Sequence, residues 1–394
     1  MIINQANRLN KIREYYFSTK LQEIAKMRES GLDVLNLGIG SPDLAPSTAT
    51  IDALIEASKN PGNHAYQPYR GINEFRVSIA KWYNRNYGVD LNPADEILPL
   101  IGSKEGIMHI SMAFINEGDQ VLVPNPGYPT YSSVSKLMGA EIVEYDLIEA
   151  NNWAPDFEAL EQTDLSKVKI MWVNYPNMPT GAEAAKHVLE RLIAFGKKNQ
   201  ILICNDNPYS LVLNPDEPKS LLTIEGADEV AIELNSLSKS HNMAGWRIGW
   251  VCGHRDYINS ILKVKSNMDS GMFLPLQKAA IEALNNGKVW HKERNDVYRE
   301  RRSTVWQILK TLNCSFNKEQ VGMFVWAKVD DGVGSVEKFI DEILHDANVF
   351  IAPGFVFGTN GERYVRISLC NTTKVLEEAL TRISKVMNAK KAMA

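Results

Sequence analysis

The sequence predicts an α/β fold: a mostly parallel central sheet flanked by helices, joined to a smaller α+β domain. Three observations carry this reading. From about residue 96, short apolar runs alternate with amphipathic segments. The runs are apolar without alternation, as strands covered by helices on both faces must be. After about residue 276 the texture changes to charged helices and alternating strands. At 394 residues the chain also exceeds what one small core organises.

In order, "EILPLI" (96–101) reads as a strand, and "EGIMHISMAFIN" (105–116) follows as a helix with Ile107, Ile110 and Phe114 near helical spacing. "DQVLVPNP" is a second strand, and "YPTYSSVSKLMG" is a helix closed by glycine. "EIVEYDL", "KIMWVNYP", "ILICNDNPY", "EVAIELNSLS" and "IGWVCG" continue the strands, with helices such as 184–199 between several of them. One long charged helix is expected over roughly 276–312. It leads to "MFVWAKV", a helix at 335–347, "NVFIAPG", "RYVRISL" and a final helix from Thr373. The first ~45 residues lack the strand–helix rhythm, so the large domain is placed at 46–275 and the small one at 1–45 and 276–394.

A formal charge of −4 argues against a polyanionic partner, because nucleic-acid binders carry a basic surplus. The basic run "ERNDVYRERR" (293–302) is interleaved with acids and is expected to be a solvated helix face. Four cysteines with no CxxC pair read as reduced, buried thiols of a cytoplasmic protein. The N-terminal stretch has charges where a leader would need an apolar core, and no apolar run reaches the ~18 residues of a membrane span. The Lys/Ala-rich end at 389–394 is expected to fray.

Chemistry is concentrated where strands end. In "LIGSKEG" (100–106) a strand passes through Gly-Ser straight into a helix, so backbone N–H groups and the Ser103 hydroxyl converge as in a phosphate site; a plain turn has the same pattern. "NDNPY" (205–209) puts Asp206 past an apolar strand, where open α/β sheets bind ligands, although helix caps and turns also use aspartate there. Tyr128 sits in a proline-fixed loop, as a ligand-facing ring or a rim residue. In "SLSKSHNMAGWR" (236–247), Lys239 stands among hydroxyls, and Arg247 enters an apolar run where it needs a partner such as phosphate. Arg366 should point opposite to Val365 and Ile367 in an alternating strand, toward a ligand or a structural ion pair. No histidine lies at metal-ligand spacing and no GxSxG elbow occurs, which disfavours a zinc enzyme or a serine hydrolase.

Taken together and in order, these residues resemble the fold type I pyridoxal-phosphate enzymes, specifically the class I/II aminotransferases. The resemblance runs from "LNLGIGSPDLAP" (35–46) to "YVRISL" (364–369). It implies pyridoxal 5'-phosphate as cofactor, bound to Lys239 as an imine. It implies Ser236, Arg247, Ser103 and Lys104 at the phosphate, Asp206 at the pyridine nitrogen, Tyr209 at the phenolic oxygen and Tyr128 stacked on the ring. Arg366 is implied as the clamp for the substrate α-carboxylate, with Gly40 and Asn174 also on the substrate side. Tyr66 in "AYQPYRG" is similar to the tyrosine that reaches the neighbouring subunit's phosphate, which implies a homodimer. The implied reaction moves the amino group of an L-amino acid to a 2-oxo acid in two half-reactions. "GSKEGIMHI" is similar to the LL-diaminopimelate and alanine- or methionine-type branch, and 266–277 holds no arginine for a second carboxylate. PLP-dependent β-lyases share every one of these motifs, and a non-catalytic sensor domain is a remote alternative.

One position departs from the family pattern. "NYPNNPTG" stands here as "NYPNMPTG", so Met178 occupies the place of an asparagine that donates to the cofactor's phenolic oxygen. A thioether cannot donate, which leaves the phenolate more basic and the imine with a raised pKa. Met178→Asn should therefore lower the pH at which the bound cofactor's absorbance titrates. An unchanged or higher midpoint in a spectrophotometric titration of both proteins contradicts this.

Overall fold

The computed structural model describes residues 3–12 and 16–393. The first strand, β1 (Leu35–Asn36), is followed by the helices Thr48–Lys59 and Asn73–Tyr87. The next seven strands are β2 (Ile97–Leu100), β3 (Gln120–Asn125), β4 (Glu141–Asp146), β5 (Val168–Val173), β6 (Leu202–Asp206), β7 (Ala231–Ser236) and β8 (Gly249–Gly253). They form one sheet in the order β2-β8-β7-β6-β5-β3-β4. Only β8 runs antiparallel to its neighbours; every other pairing is parallel.

Apart from the edge strand β4, both faces of this sheet are buried, because side chains alternate between two apolar clusters. On β5, Ile170 and Trp172 pack with Ile107 and Ile110, whereas Met171 and Val173 pack with Leu189 and Leu192 of the helix Lys186–Asn199. The direction of the strands then places the site. Asp206 ends β6, Ser236 ends β7, Asn174 follows β5 and Tyr128 follows β3, all at one edge. Leu100 of β2 and Ser236 of β7 both pair with Gly249, so the turn after β2 and the turn before antiparallel β8 open on that edge too.

The smaller unit holds β9 (Phe324–Lys328), β10 (Val349–Phe350), β11 (Ala352–Pro353) and β12 (Tyr364–Ser368). An antiparallel sheet runs β11-β12-β9, and β1 pairs in parallel with β10. Phe17, Ile24 and Leu37 share a core with Ile340, Leu344, Phe350 and Ile383, which joins the N-terminal segment to the C-terminal part.

Several expectations are corrected. The long helix is two, Leu274–Leu284 and Lys288–Thr311, since Asn285, Asn286 and Gly287 are poor helix formers. "NVFIAPG" is two short strands that pair with different partners. In "EVAIELNSLS" the strand begins only at Ala231, after the short helix Ala227–Val230. The helix Thr373–Met393 continues into the Lys/Ala-rich end, where Lys390 pairs with Glu342 at 2.6 Å; Ala394 lies outside the described residues. The basic run is not uniformly solvated, because Arg294 and Arg301 are buried at 4% and 3% exposure. They lie seven residues apart on one helix face.

Arg301 holds Asp43 through two parallel bonds of 2.7 and 2.8 Å and also donates to the Leu369 carbonyl at 3.1 Å. This ties the segment after β1 to the helix Lys288–Thr311. Removing the partly exposed Asp43 strands the buried Arg301 charge. Asp43→Ala should lower unfolding free energy by about 3 kcal/mol in chemical denaturation.

Candidate active site

A cavity of about 760 Å³ opens at the carboxyl edge of the central sheet, against the smaller unit. Its lining includes Ser103, Lys104, Tyr128, Asn174, Asp206, Tyr209, Ser236, Lys239, Arg247, Arg366 and Gly40. Of the residues expected from the sequence, only Tyr66 lies outside it, 91% exposed in the loop before Tyr69.

Lys239 sits in a single helical turn, Leu237–Ser240, directly after β7. Ser236 caps that turn, its Oγ accepting from the Ser238 N–H at 3.0 Å and donating to the Ile248 carbonyl at 3.0 Å. The Lys239 Nζ donates to the Gly40 carbonyl at 2.7 Å. Burial pushes its pKa down, and Arg366 and Arg247 add repulsion. Gly40 packs closely on the other side, where a Cβ would meet the Phe324 ring at 2.1 Å.

Asp206 is buried at the end of β6. Its Oδ2 accepts from the Tyr131 hydroxyl at 3.0 Å, while Oδ1 has no partner. Burial pushes the carboxyl up to about 7, against the pull of the Tyr131 hydrogen bond. Tyr131 stacks on Trp172 at 5.0 Å and meets Tyr128 edge-on at 5.6 Å. Sequence reasoning missed Tyr131; the signal was its place three residues after Tyr128, on one face of the helix Pro129–Leu137. Burial also holds the Tyr209 hydroxyl protonated, with its pKa raised far above the ordinary value.

Asn174 bridges locally, donating to the Asp206 carbonyl and accepting from the Met178 N–H at 2.8 Å. Arg366 does point into the cavity from β12. It donates to the Gly38 carbonyl at 2.8 Å and to the Met178 sulfur at 3.1 Å. Its guanidinium lies 3.9 Å from the Phe324 ring centroid and 4.5 Å from that of Phe357.

At the other end, Gly102 carries φ 84° into the helix Ser103–Phe114, and a Cβ there would meet the Arg247 guanidinium at 2.2 Å. Arg247 is not buried in the apolar run as its neighbours suggested. A left-handed backbone (φ 56°) turns its side chain out to the cavity, where Nη1 donates to the Ala244 carbonyl at 2.8 Å. A helix N-terminus and a guanidinium at one end suit a phosphate dianion. The partnerless Asp206 oxygen suits a protonated ring nitrogen, and Lys239 lies between. The residues present fit pyridoxal phosphate.

This fold and cavity define a class of enzyme, and the chain belongs to the class I and II aminotransferases: the model of that family matches residues 32–383. It is a pyridoxal-phosphate-dependent aminotransferase. The chain is 40% identical over 382 residues to an LL-diaminopimelate aminotransferase of Halothermothrix orenii, covering 97% of this chain and 98% of that one. Among solved structures, apo-BacF of Bacillus subtilis matches with a TM-score of 0.93 at 36% identity, over 98% of each chain. An aminotransferase of Staphylococcus aureus matches with 0.88 at 32% identity, over 98% of this chain and 99% of that one.

The raised carboxyl has a consequence for stability. Asp206 binds its proton more tightly folded than unfolded, so the cofactor-free protein loses stability as pH rises from about 4 through about 7. Asp206→Asn should be the more stable cofactor-free protein near pH 8, on the order of a few kcal/mol, with the gap closing below about pH 4. Urea denaturation at both pH values checks this.

Proposed function

We propose that this chain transfers the amino group of an L-amino acid to a 2-oxo acid with Lys239 as the reacting amine. The observation that supports this most is the convergence of Lys239, Asp206, Arg247 and Arg366 on one cavity. Ser103, Lys104, Ser236 and Arg247 would hold the cofactor phosphate, Tyr128 would lie against its ring, Asp206 would keep its ring nitrogen protonated, and Tyr209 would donate to its phenolic oxygen. When bound, pyridoxal phosphate supplies the sink for the electron pair released at Cα.

The chain's own groups supply the rest. Arg366 grips the α-carboxylate with its fork, which fixes the substrate's orientation before any bond breaks. Gly40 and Asn174 line the substrate side. Lys239 carries the proton at Nζ; its lowered pKa leaves more of the amine unprotonated at neutral pH than a solvated lysine would have.

A homodimer with shared sites would account for the exposure of Tyr66, together with that of Tyr69, Met268 and Phe273. The divisions at 45/46 and 275/276 separate the seven-stranded sheet from β1 and β9–β12, although the helix Leu274–Leu284 straddles the second division and packs with the larger unit. A cytoplasmic location agrees with the absence, among the described residues, of any helix long and apolar enough to cross a membrane.

The relatives make LL-diaminopimelate the first amino donor to test. Mixing the holoenzyme with individual L-amino acids, LL-diaminopimelate included, should bleach the bound cofactor's absorbance for at least one of them, and Lys239→Ala should stay silent. A silent wild type refutes the reading. Ammonia release with no 2-oxo acid present would assign a β-lyase instead.

A further inference from the structure

The first turns of the helix Lys288–Thr311 carry a buried cation that the reaction as described does not use. Arg294 is 4% exposed, and among the described residues no carboxylate pairs with it. Its two terminal nitrogens diverge: Nη1 donates to the Ser240 carbonyl and Nη2 to the Leu211 carbonyl. Ser240 directly follows Lys239, and Leu211 lies two residues past Tyr209.

The neighbouring residues of this helix grip the same two segments. Asn295 donates to the Leu211 carbonyl at 3.2 Å and accepts from the Leu213 N–H at 3.1 Å. On the other segment, His241 is fully buried, stacked on Trp290 at 5.7 Å and edge-on to His291 at 5.0 Å. Its Nδ1 bonds the Ser240 hydroxyl at 2.8 Å. The stretch after Lys239 therefore docks on a platform of Trp290, His291 and Arg294.

A guanidinium held in the interior without an anion costs desolvation energy, and burial lowers its pKa to about 10. Carbonyl oxygens are its main compensation. A planar fork can bridge two of them with fixed spacing; an ammonium is a single point of charge and does so poorly.

We propose that Arg294 is a positioning residue that locks the Lys239 and Tyr209 segments to each other, setting where the lysine amine stands relative to the substrate Cα. This rests on the reading of Lys239 as the reacting amine. The bridge acts on geometry, so its loss should slow proton transfer while leaving carboxylate binding at Arg366 intact.

The test uses holoenzyme of Arg294→Met and Arg294→Lys in the donor half-reaction. For Arg294→Met, kcat per loaded site should fall by about 10²-fold with KM unchanged, the scale expected for a misplaced group. The isotope effect on a Cα-deuterated donor should rise, and Arg294→Lys should recover only part of the rate. In the cofactor-free variants, amide exchange should quicken in 209–213 and 239–242 together. If kcat and the isotope effect match wild type even where Tm falls, Arg294 is merely structural and the proposal fails. Unchanged exchange in both segments overturns it as well. Should Arg294→Met not fold, Arg294→Lys keeps the charge and carries the same measurements. Full activity in Lys239→Ala would instead overturn the underlying reading, so the two failures are told apart.

Discussion

Asp206 stands at the end of a buried strand with one oxygen bonded to Tyr131 and the other unmatched, in a cavity whose remaining charges are cationic. In the cofactor-free chain this arrangement is electrostatically incomplete. Burial raises the carboxyl and depresses the lysine, so neither group is at ease in its charged form. A ligand bearing a cationic ring nitrogen at one end and an anionic phosphate at the other relieves both mismatches. The groups that line the site thus suit such a ligand.

The sheet provides this because of strand direction more than side-chain chemistry. Six strands run one way, and the antiparallel β8 begins where its neighbours end. Arg247, two residues before β8, consequently lines the same cavity as Ser103 after β2 and Lys239 after β7. The smaller unit closes the cavity from the opposite side with Arg366 and its aromatic surround, Phe324 and Phe357. Two buried arginines on one helix, Arg294 and Arg301, then anchor the site's backbone: one holds the segments after Lys239 and Tyr209, the other holds Asp43, three residues past Gly40.

Met178 shows how one residue serves two neighbours. Its sulfur accepts from Arg366, and its backbone N–H is fixed by Asn174, which in turn holds the Asp206 carbonyl. The thioether meets the arginine's need for an acceptor but offers no donor to anything else in the cavity.

The strands, their order along the chain, and the residues at their ends were legible in the amino-acid sequence. Apolar runs bounded by Gly, Pro, Asn and Asp encode local structure, and the cavity gathers Lys239, Asp206, Tyr128, Arg247 and Arg366 as those motifs suggested. What local pattern could not contain was which side of a charged helix turns inward. "ERNDVYRERR" looks solvated because its charges alternate, yet Arg294 and Arg301 are buried, since their partners come from residues 211, 240 and 43, far away in sequence. Tyr131 escaped notice for the same reason: its bond to Asp206 spans 75 positions. Sequence alone determined most of the elements and singled out the candidate groups at the strand ends, because propensity and periodicity are local. Tertiary structure alone decided their partners, protonation and spacing, because burial and hydrogen bonding depend on what the rest of the chain brings alongside.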